Sequence, residues 1–493
     1  MPIRNRIVSV DLDERARRAM IENGFEPDFE PAVLEQVKQI ETDGQPKIAD
    51  GVADLRDLLW SSIDNRTSRD LDQVEYAERL PNGEIKLLVG IADVDSLVDK
   101  NTPIDEHAAT NTVTVYTESE IFPMLPEELS TDRTSLNEHV DRLAIVVELV
   151  IDANGDVPGN RVFRAMVRNN AKLSYEDVGD WIDENAGEPA KFAEVAGLIE
   201  QVEIQLEAAH RLHKFRMEKG ALEFESIESS PVVVDGQIRD IESIRPNSAR
   251  KIIENFMIAA NVEMAEFLEL NGSPSIRRIV KTPERWSRIR DLAADYGTHL
   301  PDTPDNRSLS DFLAERRAAD PDHFPDLSLA IVKLMGSGEY VVKQPGVEVS
   351  GHFGLGIRDY AHSTAPNRRY PDLVVQRLVK AKLEELPVPY TVAELEQVAA
   401  DCNDREKAAR KVERKMRKIV AASVMQSRVG ESFDAIVTGA TDKGTFARIL
   451  RPPVDGRIVR GERETQVGDK VRVRLIGANP KNGFIDFSVE HGR

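Results

Sequence analysis

Residues 62–78 read SIDNRTSRDLDQVEYAE and bring Asp64, Asp70 and Asp72 within nine residues of one another. Asp70 and Asp72 are two positions apart, so their side chains point to the same side of an extended backbone. Crowded carboxylates repel one another unless a cation offsets their charge, so the spacing favours a divalent-metal site. Oxygen ligands favour Mg²⁺ or Mn²⁺ over Zn²⁺, and Mg²⁺ commonly keeps substrate phosphate oxygens in its shell. The stretch therefore indicates phosphoryl chemistry, with a solvated acidic turn as the alternative.

A second group of candidate residues lies far downstream, in YAHSTAPNRRYPDLVVQR at 360–377. The proline pattern predicts a helix that begins near Pro371, directly after Arg368 and Arg369. Guanidinium groups beside the free N–H groups of a helix N-terminus form an anion site. The alternative interpretation is a surface arginine pair.

Two glutamates on predicted helices are further candidates. Glu254 lies in KIIENFMIAANVEMA at 251–265, on a stripe separate from the apolar core face. Glu413 shares a helix face with Arg410 and Arg417. For each glutamate, the alternative is an ordinary surface charge that pairs with its neighbours.

The distribution of charge bears on the binding partner. The 493 residues carry a net charge of -21, which by itself argues against a nucleic-acid partner. Residues 405–493, however, hold 20 Lys+Arg and 11 Asp+Glu, a net of +9, which leaves -30 on the remaining 404 residues. A basic segment on an acidic chain is either a solvated helix face or a surface that binds a polyanion.

Several protein classes are excluded by composition. No stretch approaches the roughly 20 apolar residues that span a bilayer, and the start of the chain lacks the apolar region of a signal peptide. Cys402 is the single cysteine, so an internal disulfide and a zinc cluster of closely spaced ligands are both excluded. We therefore expect a cytoplasmic protein that does not associate with membranes.

The patterning predicts an α+β protein of three parts, since about 150 residues per domain is typical. Residues 1–48 form a short helical segment, 49–428 a large mixed domain, and 429–493 a closed antiparallel barrel of short Gly-punctuated strands. The expected helices lie at 12–23, 31–42, 248–270 and 393–423, and the clearest strands at 86–93, 143–151 and 230–234.

Six motifs occur in an order that resembles the ribonuclease II/R family and its RNB catalytic domain. They are SIDNRTSRDLDQ (62–73), VYTESEIFPMLPEELS (115–130), KGALEFE (219–225), IIENFMIAAN (252–261), HFGLGIRDYAHSTAPNRRYPDL (352–373) and ARKVERK (409–415). The resemblance covers about residues 46–427. The last 65 residues resemble the S1-type OB-fold RNA-binding domain, with GTFA at 444–447 and NGFIDFS at 482–488.

The resemblance implies a role for each candidate residue. Asp64, Asp70 and Asp72 fall at the metal-binding aspartates, and Asp72 falls where substitution matters most for the chemistry. Arg368 falls at the arginine that binds the phosphate beside the scissile bond, where it would stabilise developing charge.

Six further positions are implied to contact RNA. Tyr116 and Phe224 fall where the family clamps the 3′-terminal base, and stacking accepts any base. Glu254 falls at the contact with the terminal ribose, where a 2′-OH distinguishes RNA from DNA. Glu413 falls at another acidic position near the site. Arg369 and the barrel residue Phe446 complete the implied RNA-binding set.

The chain departs from the family pattern in two places. Familiar members end the acidic motif with D-x-D-D, whereas here Gln73 follows Asp72, so the site loses one negative charge. Glu75 is a potential substitute, although its odd-numbered spacing from Asp72 puts it on the opposite side of a regular strand. The N-terminal cold-shock domains of the family are expected to be absent, with about 48 helical residues in their place.

The resemblance thus implies a 3′-to-5′ exoribonuclease that uses Mg²⁺, or Mn²⁺, to hydrolyse single-stranded RNA to nucleoside 5′-monophosphates. We expect the protein to be a monomer. Two alternatives remain at this point. The first is an RNB-fold protein that binds RNA or a protein partner, with catalysis disabled by Gln73. The second is a metal phosphatase, which would leave the aromatic residues and the barrel without a purpose.

Overall fold

The computed structural model describes residues 12–44, 51–225, 228–234, 237–244, 246–321, 323–441, 444–461, 465 and 469–490. The domain boundary expected at residues 48 and 49 lies outside the described residues.

Twelve α-helices are present in the described parts of the chain. Their bounds are α1 Leu12–Glu22, α2 Pro31–Asp43, α3 Pro103–Asn111, α4 Tyr175–Ile182, α5 Ala190–Glu194, α6 Leu198–Glu218, α7 Ser248–Leu270, α8 Trp286–Asp295, α9 Asn306–Ala319, α10 Phe324–Met335, α11 Tyr370–Leu383 and α12 Val392–Met425.

Seventeen strands are present in the same described ranges. Their bounds are β1 Ala53–Asp54, β2 Trp60–Asp64, β3 Gln73–Arg79, β4 Ile85–Ala92, β5 Val115–Tyr116, β6 Ile121–Phe122, β7 Asp141–Ile151, β8 Gly159–Ser174, β9 Glu228–Val234, β10 Gln237–Ile244, β11 Ser275–Ile279, β12 Glu339–Lys343, β13 Ser432–Thr441, β14 Gly444–Leu450, β15 Pro453–Arg460, β16 Lys470–Asn479 and β17 Phe484–Val489.

The helices and strands predicted from periodicity are confirmed to within a few residues. The clearest example is α7, whose apolar face buries Ile252, Phe256 and Ala260 in the main core. Asn247 caps this helix by accepting a hydrogen bond from the Arg250 N–H at 3.1 Å. The cap satisfies one of the free N–H groups of the first turn and defines where the helix begins.

A six-stranded sheet in the order β1-β8-β2-β3-β4-β7 forms the centre of the large domain. The long strand β8 pairs with β7 through its first half and with β2 through its second half, so five of the strands close on themselves. β2 runs antiparallel to β3 but parallel to β8. The acidic motif therefore connects two adjacent strands at one end of this sheet.

The N-terminal helix α1 packs against the long helix α12. Ala16, Ala19 and Met20 are buried in a small apolar cluster with Val412 of α12 and Val115 of β5. The same cluster holds the other strand of the β5–β6 hairpin, through Phe122. The N-terminal segment thus supports the hairpin that carries Tyr116.

The C-terminal strands form a closed barrel in the order β13-β14-β15-β17-β16. The predicted antiparallel barrel is confirmed except at one seam, where β15 and β17 run parallel. This seam follows from the strand number, because five strands cannot alternate in direction all the way around a closed ring. Ala447, Ile458 and Phe487 lie among the buried residues of the barrel core.

The architecture confirms the predicted fold class, a mixed α+β domain followed by a small barrel and preceded by a helical segment. Among the described residues, no helix combines the length and the apolar composition needed to cross a membrane.

Candidate active site

A polar cavity of about 330 Å³ lies at the end of the sheet where β2 and β3 are connected. Strand β2 ends at Asp64, and β3 begins at Gln73. The intervening loop brings Asp70 and Asp72 to the same cavity. The lining consists of Asp64, Asn65, Ser68, Asp70, Asp72, Gln73, Tyr116, Tyr175, Arg250, Ile253, Met257, Thr364 and Arg368.

Asp64 is held at the edge of the cavity by its own loop. Its Oδ1 atom accepts hydrogen bonds from the Asn65 N–H at 2.6 Å and from the Ser68 hydroxyl at 3.0 Å. Burial raises the pKa of Asp64, these hydrogen bonds oppose that rise, and the Asp70 charge adds to it. A cation next to Asp64 would offset both the cost of burying its charge and the repulsion from Asp70.

Asp72 is the most deeply buried of the three aspartates. Burial raises its pKa to about 7, while Arg368 and the Asn367 N–H favour the ionised form. The Asn367 N–H donates to Asp72 Oδ1 at 3.1 Å, and Arg368 Nε lies 3.4 Å from Asp72 Oδ2. The side chain is 4% exposed, whereas that of Arg368 is 44% exposed. The Arg368 side chain thus contacts a buried acid and is also partly exposed to solvent.

The segment before α11 places Arg368 through contacts with three distant elements. Asn261 of α7 accepts hydrogen bonds from both the N–H and the hydroxyl of Ser363, each at 2.8 Å. The Thr134 hydroxyl donates to Asn367 Oδ1 at 2.5 Å, and the Thr114 N–H donates to the Arg368 carbonyl at 3.0 Å. These bonds anchor the backbone on both sides of Arg368.

Arg369 does not join Arg368 at the cavity, although the sequence suggested one site made by both. Its Nη2 atom lies 2.6 Å from Asp372 Oδ1, and the Asp372 side chain is fully buried. Asp372 Oδ1 also accepts a hydrogen bond from the Ala365 N–H at 2.8 Å. Residues 366–368 form a turn, and Arg369 has an extended backbone directly before α11. The two adjacent side chains therefore leave the backbone in different directions, and only Arg368 lines the cavity.

Tyr116 lies at the tip of β5 with its ring in the cavity wall and is 42% exposed. Surrounding protein raises the pKa of its hydroxyl, and the charges of Arg368, Asp70, Asp72 and Asp64 all act on it. Its N–H donates to Glu413 Oε1 at 3.4 Å, so Glu413 supports the hairpin from α12. A partly exposed aromatic ring beside an acidic cavity is suited to stack on a base.

Phe224 and Glu254 line a second cavity of about 550 Å³, on another side of α7. Ile253 and Met257 of that helix face the acidic cavity, whereas Glu254 faces the larger one. The basic residues Arg216, Lys251 and Arg317 share this second wall. Tyr116 and Phe224 therefore belong to different cavities in this structure and do not enclose one space.

The remaining candidates lie farther away. Phe446 is partly buried on β14 of the barrel and lines neither cavity. Several cations of the basic segment bind within the protein: Lys415 contacts Glu22 at 2.8 Å, and Arg417 contacts Glu118 at 3.4 Å. Part of the basic charge of α12 therefore stabilises contacts with the N-terminal helix and with the loop after Tyr116.

Two lining residues were missed by the sequence reasoning, namely Tyr175 and Arg250. In the parallel β2–β8 register, Asp64 is the partner of Ser174, so the next residue, Tyr175, falls beside the cavity. Arg250 lies 4.6 Å from the centre of the Tyr175 ring and donates to Asn65 Oδ1 at 2.9 Å. No local pattern marks either residue, because a strand register decides their position.

The donor set of the acidic cavity fits a hard divalent cation. Three carboxylates line it, and burial raises the pKa of both Asp64 and Asp72, so a bound cation would stabilise their ionised forms. Within the described ranges, no three carboxylate, imidazole or thiolate side chains converge closely enough to hold one ion as they stand. A cation would therefore have to draw Asp64, Asp70 and Asp72 together and compete with Arg368 for Asp72.

Comparisons with known proteins agree with this architecture. Ribonuclease R of Escherichia coli is 31% identical to this chain, over 93% of this chain and 60% of its own length. Ribonuclease R 1 of Lactococcus lactis is 29% identical over 93% of this chain and 59% of its own length. The chain thus spans about 60% of the length of these relatives.

The fold is shared with a solved structure of Mycoplasma genitalium RNase R in complex with ribose-methylated single-stranded RNA. The TM-score is 0.88 at 23% identity, over 97% of this chain and 78% of the other. The RNB domain family matches residues 52–385, and the RNase II-type exonuclease C-terminal S1 domain matches residues 431–490. Since the first match alone covers more than half of the sequence, this chain belongs to the RNB domain family.

Proposed function

We propose that this chain is a 3′-to-5′ exoribonuclease that hydrolyses single-stranded RNA stepwise and releases nucleoside 5′-monophosphates. The observation that carries the proposal is the position of Arg368, which reaches Asp72 inside the cavity that Asp64 and Asp70 also line. A guanidinium beside a buried carboxylate, in a cavity that two more carboxylates line, suits a reaction in which a phosphate diester gains negative charge. The relatives named Ribonuclease R support the same activity.

Asp64, Asp70 and Asp72 would hold the metal, Mg²⁺ or alternatively Mn²⁺. When bound, the metal would supply Lewis-acid activation of the attacking water and of the scissile phosphate. The charge of Asp72 matters here because a carboxyl with a pKa of about 7 is only partly ionised near neutral pH. Cation binding favours its ionised form and so competes with the proton.

Arg368 would bind the non-bridging oxygens of the scissile phosphate. Its side chain is 44% exposed, so donors of the guanidinium remain available while Nε stays near Asp72. A phosphate that enters the cavity competes with Asp72 for the guanidinium. The incoming substrate would thereby release Asp72 from Arg368, so that Asp72 is available to bind the metal.

The aromatic and acidic residues around the cavity would align the RNA strand. Tyr116 would stack on a base beside the reacting phosphate, which accepts any sequence. Phe224 and Glu254, in the neighbouring cavity, would contact the strand on the other side of α7, with Glu254 directed at a ribose hydroxyl. The barrel around Phe446 and the remaining cations of α12 would attract the RNA backbone.

Arg369 and Glu413 take a different role in this proposal from the direct RNA contact expected earlier. The Arg369–Asp372 ion pair would fix the backbone that carries Arg368. Glu413 would hold the hairpin that carries Tyr116. We further propose a cytoplasmic location, which the buried thiol of Cys402 supports, and a monomeric state.

The test is a degradation assay on RNA labelled at its 5′ end, with added Mg²⁺. We expect stepwise shortening from the 3′ end, whereas Asp72→Asn binds RNA without degrading it. The matched control is Asp291→Asn, the same substitution on the exposed surface of α8, which should retain full activity. Full activity of the Asp72→Asn variant would contradict the assignment.

The assay also distinguishes the proposed nuclease from the alternative in which the protein only binds RNA because Gln73 disables catalysis. A protein that binds RNA but shows no turnover with Mg²⁺ or Mn²⁺ would favour that alternative. A large gain in turnover on Gln73→Asp, starting from almost none, would favour it as well.

A further inference from the structure

Glu75 is a buried acid that the proposed reaction has not yet used. It lies in the middle of β3 with no exposed surface, and both of its carboxyl oxygens lack a hydrogen-bond partner in the described structure. A buried carboxyl normally finds a donor, because an unpartnered polar group destabilises the fold. A structural role alone therefore does not account for a glutamate at this position.

The strand geometry directs Glu75 toward the acidic cavity. Gln73 and Glu75 are two residues apart on β3, so their side chains share one face, and Gln73 lines the cavity. The Cα partner of Glu75 is Ser61 on β2, the strand that ends at Asp64. Glu75 therefore lies on the same side of β3 as Gln73, outside the residues that line the cavity.

Electrostatics connect Glu75 with the same wall. Burial raises the pKa of Glu75, and the negative charge of Asp64 raises it further. The hydroxyl of Tyr175 experiences the charges of both Asp64 and Glu75. A positive charge beside Asp64 would therefore stabilise the ionised form of Glu75 as well.

We propose that Glu75 is the fourth carboxylate of the cation site, a positioning residue that acts through Asp64 and restores the negative charge that Gln73 lacks. This inference rests on the proposed metal-dependent function. A carboxylate behind a metal ligand strengthens the site by adding negative charge, and outer partners of metal ligands commonly change metal affinity 10- to 100-fold.

The test is Mn²⁺ binding to the RNA-free, full-length protein, measured by isothermal titration calorimetry and by the electron paramagnetic resonance signal of free Mn²⁺. We expect Glu75→Gln and Glu75→Leu each to weaken Mn²⁺ binding about tenfold or more. Both variants should fold without metal, since each removes an unpartnered buried carboxyl. The double variant Gln73→Asp/Glu75→Gln moves the carboxylate two residues along the same face and should recover the affinity.

The matched control is Glu263→Gln, which removes another buried glutamate with a raised pKa, outside the lining of the acidic cavity. It should bind Mn²⁺ as the wild type does. Unchanged Mn²⁺ affinity in both Glu75 variants would overturn the inference, and metal-dependent RNA degradation by the wild type would leave the proposed function standing. Loss of folding in both variants would overturn it too, because Glu75 would then be structural. A wild-type protein that neither binds Mn²⁺ nor degrades RNA would overturn the inference and the function together.

Discussion

Arg368 Nε lies 3.4 Å from Asp72 Oδ2, although the two residues lie near opposite ends of the RNB domain match. The contact joins a buried acid to a half-exposed guanidinium. Burial raises the pKa of Asp72 to about 7, and Arg368 opposes that rise. A phosphate would compete with Asp72 for Arg368, and a cation would compete with Arg368 for Asp72. Either ligand would therefore separate the pair.

The first prediction concerns the shape of the Arg368 side chain. Arg368→Lys should lower kcat about 10²- to 10³-fold and change KM little, because a single ammonium cannot replace the guanidinium fork at a developing charge. Rates on a 5′-labelled RNA with Mg²⁺ give both constants. Arg288→Lys, on the exposed surface of α8, is the control and should leave both unchanged. A kcat that stays at the wild-type value in Arg368→Lys would exclude the phosphate contact.

The second prediction separates Arg369 from its neighbour. Arg369→Met should lower the free energy of unfolding by roughly 3 to 5 kcal/mol, because it leaves the buried Asp372 carboxylate without its partner. Arg368→Met should destabilise the fold less, because Arg368 is half-exposed and Asp72 keeps its hydrogen bond from the Asn367 N–H. Urea unfolding of the two variants measures the difference. Equal destabilisation would mean that the two arginines have equivalent structural roles.

The third prediction addresses stacking by Tyr116. In an Asp72→Asn background, Tyr116→Ala should weaken RNA binding by roughly 1 to 3 kcal/mol, whereas Tyr116→Phe should retain the affinity because the ring remains. Fluorescence anisotropy with a labelled oligoribonucleotide measures both. Ile121→Ala is the control, since Ile121 is the exposed Cα partner of Tyr116 on the same hairpin. If Tyr116→Phe weakens binding as much as Tyr116→Ala does, the hydroxyl and not the ring carries the contact.

The fourth prediction is a pH dependence that arises away from the acidic cavity. Burial, with the Glu266 charge, raises the pKa of Glu263 to about 7. Between the unfolded pKa near 4.5 and this value, the folded protein keeps a proton that the unfolded chain releases, so stability falls as pH rises. At pH 8 the Glu263→Gln variant should be more stable than the wild type, by up to roughly 3 kcal/mol.

Urea unfolding at pH 5, 6, 7 and 8 tests this last prediction. The difference between wild type and Glu263→Gln should grow up to about pH 7 and then level off. A difference that is constant across this range would show that Glu263 titrates normally. Other buried acids contribute to both proteins and cancel in the comparison.

Much of the fold was predictable because its signals are local. The 3.6-residue period at 248–270 and the Gly-punctuated alternation after residue 430 predicted α7 and the barrel. The parallel seam between β15 and β17 was missed, since strand direction around a ring depends on how many strands close it. Periodicity describes one element at a time and carries no information on that number.

In the candidate site too, some residues could be predicted from the sequence and others could not. The crowding of Asp64, Asp70 and Asp72 is visible in the sequence, because one short loop holds all three. The sequence grouped Arg368 with Arg369, whereas the i,i+3 ion pair with Asp372 turns Arg369 into the protein interior and leaves Arg368 at the cavity. The odd-numbered spacing placed Glu75 on the side of the strand opposite to Asp72. The neighbour that matters is Gln73, which lies on the same face of β3 as Glu75.

By itself, the sequence determined the family, the order of the elements and the types of side chain available for phosphate chemistry, because these depend on residue identity and short-range spacing. Only the tertiary structure decided which of those side chains meet. The parallel register of β2 with β8 brings Tyr175 to Asp64, and hydrogen bonds from α7 and the loop at Thr134 hold the segment that presents Arg368. Such contacts join residues far apart in the chain, and their geometry follows from packing and hydrogen bonding that no single segment encodes.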